Sequence, residues 1–211
     1  MFDNMKINDF LTELSSNSPA PGGGSVAAFS SALASALGAM VGNLTIGKKS
    51  YREMEEEKKS KVDEALEACI GIRETYMNLM EEDTKSFMEV IDAFKLPKNT
   101  DEELVKRNEA IERGYKTALA TPKRLCDEAL KLYPYLNELA LYGNVNAISD
   151  VGVAVLLNSS SIESAMLNII INLKNIKDEA FAVQIRGYLD EVSLKNNNFK
   201  NDIMNIVNKR L

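Results

Sequence analysis

The sequence predicts an all-α fold, and three features of the chain support this prediction. Ala, Leu, Glu and Lys recur at the three- and four-residue spacing of helices along most of the 211 residues. β-branched residues do not cluster between turn signals, and alternation of polar and apolar residues is rare. Hydrophobic residues make up 45% of the chain, which is enough to build a full core at this length. We therefore expect one helical domain over residues 1–211.

The N-terminal part predicts a short helix followed by a long uncharged one. The first runs from about Ile7 to Leu14, because the serine- and proline-rich segment after it breaks the pattern. The second begins after a glycine-rich loop, with Ser25 as its capping residue, and extends to about Ile46. Small residues lie between its large apolar side chains, so it is expected to be buried and closely packed. The large side chains form one ridge: Val26, Phe29, Leu33, Leu37, Met40 and Leu44.

The middle of the chain predicts one long amphipathic helix and a second, interrupted one. The long helix is expected from about Glu53 to Phe94, because Pro97 stops it soon afterwards. The next helix starts at Asp101. Pro122 is expected to kink or restart it, and Pro134 to mark a turn.

The C-terminal part predicts a second buried helix and two solvated ones. Residues 148–173 contain only two charges, Asp150 and Glu163, which indicates a buried element that could break at Asn158–Ser161. Two amphipathic helices, over 177–192 and 199–211, are expected on either side of a turn at the three asparagines of 196–198.

Charge and composition exclude several functions. The formal charge of −6 argues against nucleic-acid binding, which needs a broad basic surface. The chain has no histidine, so any acid or base must be a carboxylate, lysine, tyrosine, thiol or water. Cys69 and Cys126 lie far apart without a CxxC pair, which favours buried free thiols over a zinc site. No metal or redox cofactor is expected.

The chain is expected to be cytoplasmic and not membrane-bound. No basic region leads into an apolar run at the N-terminus, as a secretory signal would require. The uncharged segment Ser25–Ile46 is long enough to cross a bilayer, but its serines, Asn43 and Thr45 dilute its apolarity. Its small residues favour close packing between helices instead.

Two segments flank the first uncharged helix with polar groups. The sequence Pro-Gly-Gly-Gly-Ser at 21–25 offers three flexible peptides whose N–H groups can converge, with the helix N-terminus, on an anion or a carbonyl oxygen. It is otherwise a tight turn without a ligand. At the far end of the helix, Lys48, Lys49 and Arg52 form a basic cluster, which a helix C-terminus also attracts through its dipole. Lys48 and Tyr51 are three residues apart and can share one face.

Two further segments place carboxylates near apolar helices. Asp83 lies in the acidic stretch 81–83 of the long helix, which by itself is typical of a solvated face. The stretch 143–153 places Asn144, Asn146, Ser149 and Asp150 at the entrance to the second uncharged helix. Asp150 either caps that helix or belongs to a site.

Six sequence blocks follow one another along the chain: PAPGGGSVAA at 19–28, LTIGKKSY at 44–51, EED…F at 81–87, LPK at 96–98, GNVNAISDVGV at 143–153 and SIESAMLNIIINLKNIKD at 161–178. In this order they resemble one known family, the formiminotetrahydrofolate cyclodeaminases and methenyltetrahydrofolate cyclohydrolases. The resemblance extends from about residue 5 to residue 193. Val151 and the segment 153–155 are bulkier than the small residues common after the Ser-Asp pair, so the resemblance does not determine the shape of the pocket.

This resemblance implies an enzyme of folate one-carbon metabolism that converts 5-formiminotetrahydrofolate to 5,10-methenyltetrahydrofolate and ammonia. The alternative is hydrolysis of the methenyl compound to 10-formyltetrahydrofolate, and a noncatalytic folate-binding assembly protein is a rival of another class. The subunit is expected to form a homo-oligomer, usually a dimer, with the folate cleft close to the subunit contact. A separate formiminotransferase is a further candidate partner.

The candidate site residues fall into two groups. Lys48, Asp83 and Asp150 are the candidates for proton transfer and for stabilising the amidinium charge, since burial moves such groups toward pKa values useful for catalysis. The candidates for binding the pterin edge or the glutamate carboxylates are Gly22, Gly23, Gly24, Ser25, Lys49, Tyr51, Asn144, Asn146 and Ser149, with Arg52 for the anionic tail. All are expected to meet in one cleft.

Overall fold

The computed structural model describes residues 2–211 and confirms the all-α prediction. Seven α-helices and two single-turn 3₁₀ helices account for this part of the chain, which contains no β-strand. The helices are α1 (Ile7–Leu14), α2 (Gly23–Thr45), α3 (Lys49–Arg52), α4 (Glu56–Phe94), α5 (Asp101–Tyr142), α6 (Ile148–Leu173) and α7 (Glu179–Arg210). The 3₁₀ turns are Phe2–Asn4 and Val145–Ala147. The predicted bounds of α1 are confirmed.

Helix α2 lies between α4 and α6, with α5 behind it and α7 packed on α5 and α6. Helices α2 and α4 run antiparallel, because Gly24 at the start of α2 meets Asp83 whereas Gly42 near its end meets Leu66. Helices α2 and α6 are also antiparallel, since Ser161 donates to the carbonyl of Ala27 while Asn144, just before α6, binds the end of α2. One end of the bundle therefore holds the start of α2 and the end of α6.

The small residues of α2 face the core, and half of its large ridge is exposed. A Cβ at Gly38 would lie 2.8 Å from the Cys69 sulfur, and one at Gly42 would lie 2.9 Å from Leu66 Cβ, so these glycines allow α4 and α5 to approach closely. Leu33, Met40 and Leu44 of the predicted ridge are exposed, whereas its other members pack partly against the core. Burial of α2 therefore comes mainly from its small-residue face, and three large apolar side chains remain on the surface.

Helix α5 continues through both prolines, so the predicted restart at Pro122 and turn at Pro134 are wrong. The buried Pro122 leaves the carbonyl of Ala118 without its helical N–H partner, and the side-chain amide of Asn172 donates to that carbonyl at 3.3 Å. Pro134 lies on the exposed side of the helix. Tertiary packing along the length of α5 therefore outweighs the local cost of each proline.

Helices α6 and α7 are also uninterrupted, so the predicted breaks at 158–161 and 196–198 are wrong. Asn158 is fully buried and donates to the carbonyl of Ala129 while accepting from Ser31. Asn196 is buried between Tyr133, which donates to it at 2.6 Å, and the hydroxyl of Ser159. These turn-forming residues remain helical because their side chains bond to neighbouring helices instead of to their own backbone.

Helices α2 and α6 are each long and apolar enough to cross a membrane by length and composition. About half of each apolar window is buried inside the bundle, 56% for α2 and 44% for the segment containing α6. The exposed large apolar side chains include Leu33, Met40 and Leu44 on α2 and Val153, Leu156 and Leu167 on α6. Each of the two helices therefore keeps apolar side chains on the surface of the bundle.

Candidate active site

A cleft of about 190 Å³ lies where the start of α2 meets α4 and the end of α6. We call it the glycine cleft. It is lined by Pro19, Ala20, Gly22, Gly23, Gly24, Asp83, Thr84, Phe87, Ala118, Asn168, Ile171 and Asn172. The glycine turn and the acidic segment of α4, two of the predicted site segments, thus lie together.

Gly22 is the N-cap of α2, so Ser25 does not cap the helix as expected. Ser25 lies in the first turn, fully buried, and its hydroxyl donates to Asp83 Oδ2 at 3.1 Å. The first turn of a helix has N–H groups without intrahelical partners, which favours an anionic or carbonyl group there. The chain folds so that Asp83 lies against this helix N-terminus.

Asp83 is held against Gly24 at a distance that only glycine permits. A Cβ on Gly24 would lie 2.1 Å from Asp83 Oδ1 and 2.5 Å from Cγ. Burial raises the pKa of the Asp83 carboxyl above its ordinary value, although hydrogen bonds from the hydroxyl and backbone of Ser25 oppose this shift. A carboxyl group with a raised pKa beside an open cleft can both accept and return a proton.

Sequence reasoning missed Asn168 and Asn172 on the opposite wall of the cleft. They are four residues apart, so α6 presents both on one face. Phe87 and Ile171 add apolar surface, each with more than a third of its side chain exposed. The sequence did contain a signal for them, because two asparagines four residues apart near the end of an otherwise apolar helix indicate a polar contact on that face.

A second cleft, of about 440 Å³, lies at the other end of α2. We call it the basic cleft. Its lining is Lys48, Lys49, Ser50, Met54, Leu141, Tyr142, Gly143, Asn144, Val145, Asn146 and Arg210. It unites the predicted basic helix end with the Asn-rich segment, and it adds Arg210 from the last turn of α7.

The side chain of Asn144 is occupied within the basic cleft. Its amide nitrogen donates to the carbonyl of Leu44 at 2.9 Å, and its amide oxygen accepts from the backbone N–H of Asn146 at 3.0 Å. The guanidinium of Arg210 donates to the carbonyls of Ala140 and Gly143. Asn144 and Arg210 therefore shape the cleft. Lys48 and Lys49 are exposed at its edge, and the Lys49 ammonium lies 3.7 Å from a carboxylate oxygen of Glu53.

The remaining predicted residues lie outside both clefts. Tyr51 donates to both carboxylate oxygens of Asp63, at 2.8 and 2.9 Å, and so anchors α3 to α4. Asp150 is half-buried in the first turn of α6, Ser149 beside it is exposed, and Arg52 is exposed on α3.

Within one subunit the expected single cleft is not formed. Helix α2 separates the two clefts, and its 23 residues span roughly 33 Å at ~1.5 Å per residue. Asp83 and the glycines therefore lie at one end of the bundle, and Lys48 with the Asn-rich segment lies at the other.

The fold and the glycine cleft define a helical-bundle protein with an open cleft at a helix N-terminus. Comparison with known proteins identifies its family. The family model described as formiminotransferase-cyclodeaminase matches residues 6–191, and this chain belongs to that family. Its relatives are named as cyclohydrolase and cyclodeaminase enzymes of folate one-carbon metabolism.

Three relatives are informative. Methenyltetrahydrofolate cyclohydrolase of Methylorubrum extorquens is 39% identical over 99% of this chain and 100% of its own length. Formimidoyltransferase-cyclodeaminase of Rattus norvegicus is 35% identical over 85% of this chain, which spans only 32% of that longer protein. The crystal structure of formiminotetrahydrofolate cyclodeaminase from Thermotoga maritima has a TM-score of 0.85 at 26% identity and covers 99% of this chain and 98% of its own.

Proposed function

We propose that this chain acts on the single carbon carried between N5 and N10 of tetrahydrofolate, with the glycine cleft as its active site. The observation that carries the proposal is the partly buried carboxyl of Asp83 against the N-terminus of α2, in a member of a folate one-carbon family. The first candidate reaction is the cyclodeaminase reaction. N10 attacks the formimino carbon. The imino nitrogen takes up the N10 proton and one proton from solution and leaves as ammonia.

Asp83 suits this reaction for two reasons. A negative carboxylate stabilises the amidinium charge that spreads over N5, carbon and N10, and it does so strongly in a partly desolvated cleft. Its raised pKa also lets it take the proton from N10 and pass it to the departing nitrogen. No metal or redox cofactor takes part; tetrahydrofolate is the carrier of the reacting carbon.

Hydrolysis of the methenyl bridge is the second candidate reaction. Water adds to the methenyl carbon, the C–N5 bond breaks, and 10-formyltetrahydrofolate and one proton are released. The end-to-end relative from Methylorubrum extorquens, named as a cyclohydrolase, favours this reaction. Both reactions pass through a tetrahedral carbon at the same place, so one carboxyl group serves either.

The exposed apolar side chains of α2 support a homodimer. The α2 ridge has no charged residue, and four of its six members are spaced symmetrically about position 35: Val26 and Leu44 each lie nine residues from it, and Leu33 and Leu37 each lie two. Ser35 itself is buried on the core side of α2. Two copies related by a two-fold axis that crosses the ridge at this level would pack the two ridges antiparallel. Burial of such a face is favourable in water.

This pairing has a consequence for the site. Antiparallel α2 helices set the glycine cleft of one subunit beside the basic cleft of its partner, because the start of each α2 meets the end of the other. Lys48 would then approach Asp83 across the interface and supply the second proton-transfer group. Lys49, beside it, would attract the glutamate carboxylates of the folate tail.

The longer relatives suggest one further partner. The rat protein is named for both a formimidoyltransferase and a cyclodeaminase, and this chain matches about a third of its length. A separate formiminotransferase that supplies the formimino substrate is consistent with that arrangement. All these reactants are soluble, so we place the protein in the cytoplasm.

The test is an assay of the purified protein with both folate substrates, following the methenyl chromophore. Appearance of the chromophore from 5-formiminotetrahydrofolate, with ammonia release, indicates deamination, and its loss from the methenyl compound indicates hydrolysis. Asp83→Asn should lower the rate of the observed reaction by about 10²-fold or more, since positioned acid or base groups contribute about that much. Tight folate binding with rates unchanged by this variant would instead favour a noncatalytic binding protein.

The shared site has its own test. Asp83→Asn and Lys48→Ala proteins are each expected to be nearly inactive, but mixing them through unfolding and refolding should restore activity. Half of the randomly formed dimers would be mixed, each with one intact site, so about a quarter of wild-type activity is expected. If verified mixed dimers show no restored activity, Lys48 and Asp83 do not act together across the subunit interface.

A further inference from the structure

The amide groups of Asn168 and Asn172 have an orientation that hydrogen-bond chemistry fixes. Asn168 Nδ2 donates to the carbonyl of Ser164 at 2.9 Å, and Asn172 Nδ2 donates to the carbonyl of Ala118 at 3.3 Å. A carbonyl oxygen can only accept, so the NH₂ end of each amide must face it. Each NH₂ group keeps a second N–H, and the amide oxygens accept no hydrogen bond among the residues whose side chains are described, so both oxygens are free acceptors for a ligand in the glycine cleft.

The carbonyl that holds Asn172 is available because of Pro122. In a helix without proline, the backbone N–H of residue 122 would bond to the carbonyl of Ala118, but Pro122 has no N–H. Asn172 takes that place from the neighbouring helix, and Ala118 itself lines the cleft. A proline in the interior of α5, unfavourable for the helix by itself, thus fixes the direction of a side chain in the site.

The α6 side of the cleft therefore offers two hydrogen-bond acceptors, the amide oxygens of Asn168 and Asn172. The carboxyl of Asp83 comes from α4 and is left for the reacting carbon. Phe87 and Ile171 add apolar surface to the lining. A ligand group that matches the two asparagines is flat and carries N–H donors along one edge. The ring of reduced folate has such an edge, with its 2-amino group and N3–H, whereas the carboxylates of the glutamate tail are acceptors and do not match amide oxygens.

We propose that Asn168 and Asn172 bind the donor edge of the pterin ring in the glycine cleft, and that Pro122 is the positioning residue for Asn172. This inference rests on the proposed function and adds to it the end of the substrate that the cleft recognises. It leaves the glutamate tail to the basic cleft.

Two alanine variants test the asparagines, with a matched control. Asn168→Ala and Asn172→Ala should each raise KM by about three- to tenfold, the value of one neutral hydrogen bond, with kcat within about twofold of wild type. Asn175→Ala is the control, because Asn175 also donates to the carbonyl four residues earlier, that of Ile171, but lies exposed outside the cleft. Wild-type KM in both cleft variants would overturn the proposal.

A ligand comparison identifies the edge that is bound. The dissociation constant of tetrahydrofolate is measured by calorimetry beside that of an analogue with a methyl group in place of the 2-amino group. Wild type should bind the analogue more weakly, and at least one of the two variants should bind both ligands equally, because its partner group is already lost. If both variants discriminate between the ligands as wild type does, the asparagines do not bind this edge.

Pro122→Ala separates positioning from folding. The new N–H would compete with Asn172 for the carbonyl of Ala118, so KM should rise by about twofold or more while the melting temperature rises, because alanine suits a helix interior better than proline. An unchanged KM would remove Pro122 from the proposal.

If wild type neither binds tetrahydrofolate nor turns over either substrate, the proposed function itself fails. Normal binding by wild type and by both asparagine variants overturns only the present inference.

Discussion

Replacing Gly24 by alanine tests the geometry on which the glycine cleft depends. The new Cβ would lie 2.1 Å from Asp83 Oδ1, 2.5 Å from Cγ and 2.7 Å from Oδ2. The closest of these distances must increase by about 1.3 Å to reach ordinary contact at 3.4 Å. Because Asp83 is short and its carboxyl packs against Gly24 and Ser25, either the carboxyl rotates away from Ser25 or α2 and α4 move apart.

Both responses have measurable consequences. Forcing an additional methyl group into a packed contact costs about 1–3 kcal/mol, so the free energy of unfolding in urea should fall by that amount. A displacement of about 1 Å at a reacting group lowers the rate by about 10²-fold, so kcat/KM for the folate substrate should fall at least that far. The loss of activity is expected at temperatures where the variant is still folded by circular dichroism.

Gly71→Ala is the matched control. Gly71 lies in the middle of α4, exposed, and a Cβ there would have no neighbouring atom within 4 Å. Alanine at this position should stabilise the protein by about 0.5–1 kcal/mol and leave kcat/KM unchanged. If Gly24→Ala behaves like Gly71→Ala in both measurements, Asp83 is not held against α2 as described, and the assigned active site is wrong.

Two further predictions concern pH and assembly. The pKa of Asp83 is raised in the folded state, so the folded state binds this proton more tightly than the unfolded state. The Asp83 carboxylate therefore destabilises the fold above the folded pKa and has no such effect below the ordinary value of 3.8. Asp83→Asn should raise the melting temperature at pH 7, with a gain that shrinks toward pH 4, and a gain independent of pH would contradict the burial argument. Leu33→Glu should convert the proposed dimer to monomer in light scattering and lower activity. Val183→Glu, at a 64% exposed position on α7, should change neither. A dimer that survives Leu33→Glu would exclude the α2 ridge as the interface.

The sequence by itself determined the fold class and the bounds of the first helix. Helical spacing and the scarcity of strand signals are local properties, so they indicate α structure without knowledge of packing. The glycine turn is a candidate site segment by its residue types alone, because such a turn before a helix has few other uses. The acidic stretch around Asp83 by itself resembles a solvated face, and only the resemblance to a known family made it a candidate.

Local signals failed where tertiary contacts compensate for them. Pro122 and the asparagines at 158 and 196 are helix-breaking or turn-forming residues in isolation, yet each lies inside a long helix because a neighbouring helix takes part in its hydrogen bonding or packing. No single-segment pattern contains that partner, since it lies many residues away in the chain.

Only the tertiary structure decided which candidate residues meet. Periodicity located the ridge of α2 but not the side that faces solvent, because small residues can bury a helix more closely than large ones. The chain order likewise could not show that Asp83 joins the glycine turn and Asn172 while Lys48 lies roughly 33 Å away along α2. Those separations follow from antiparallel packing of long helices, which places residues distant in sequence together and opposite helix ends apart.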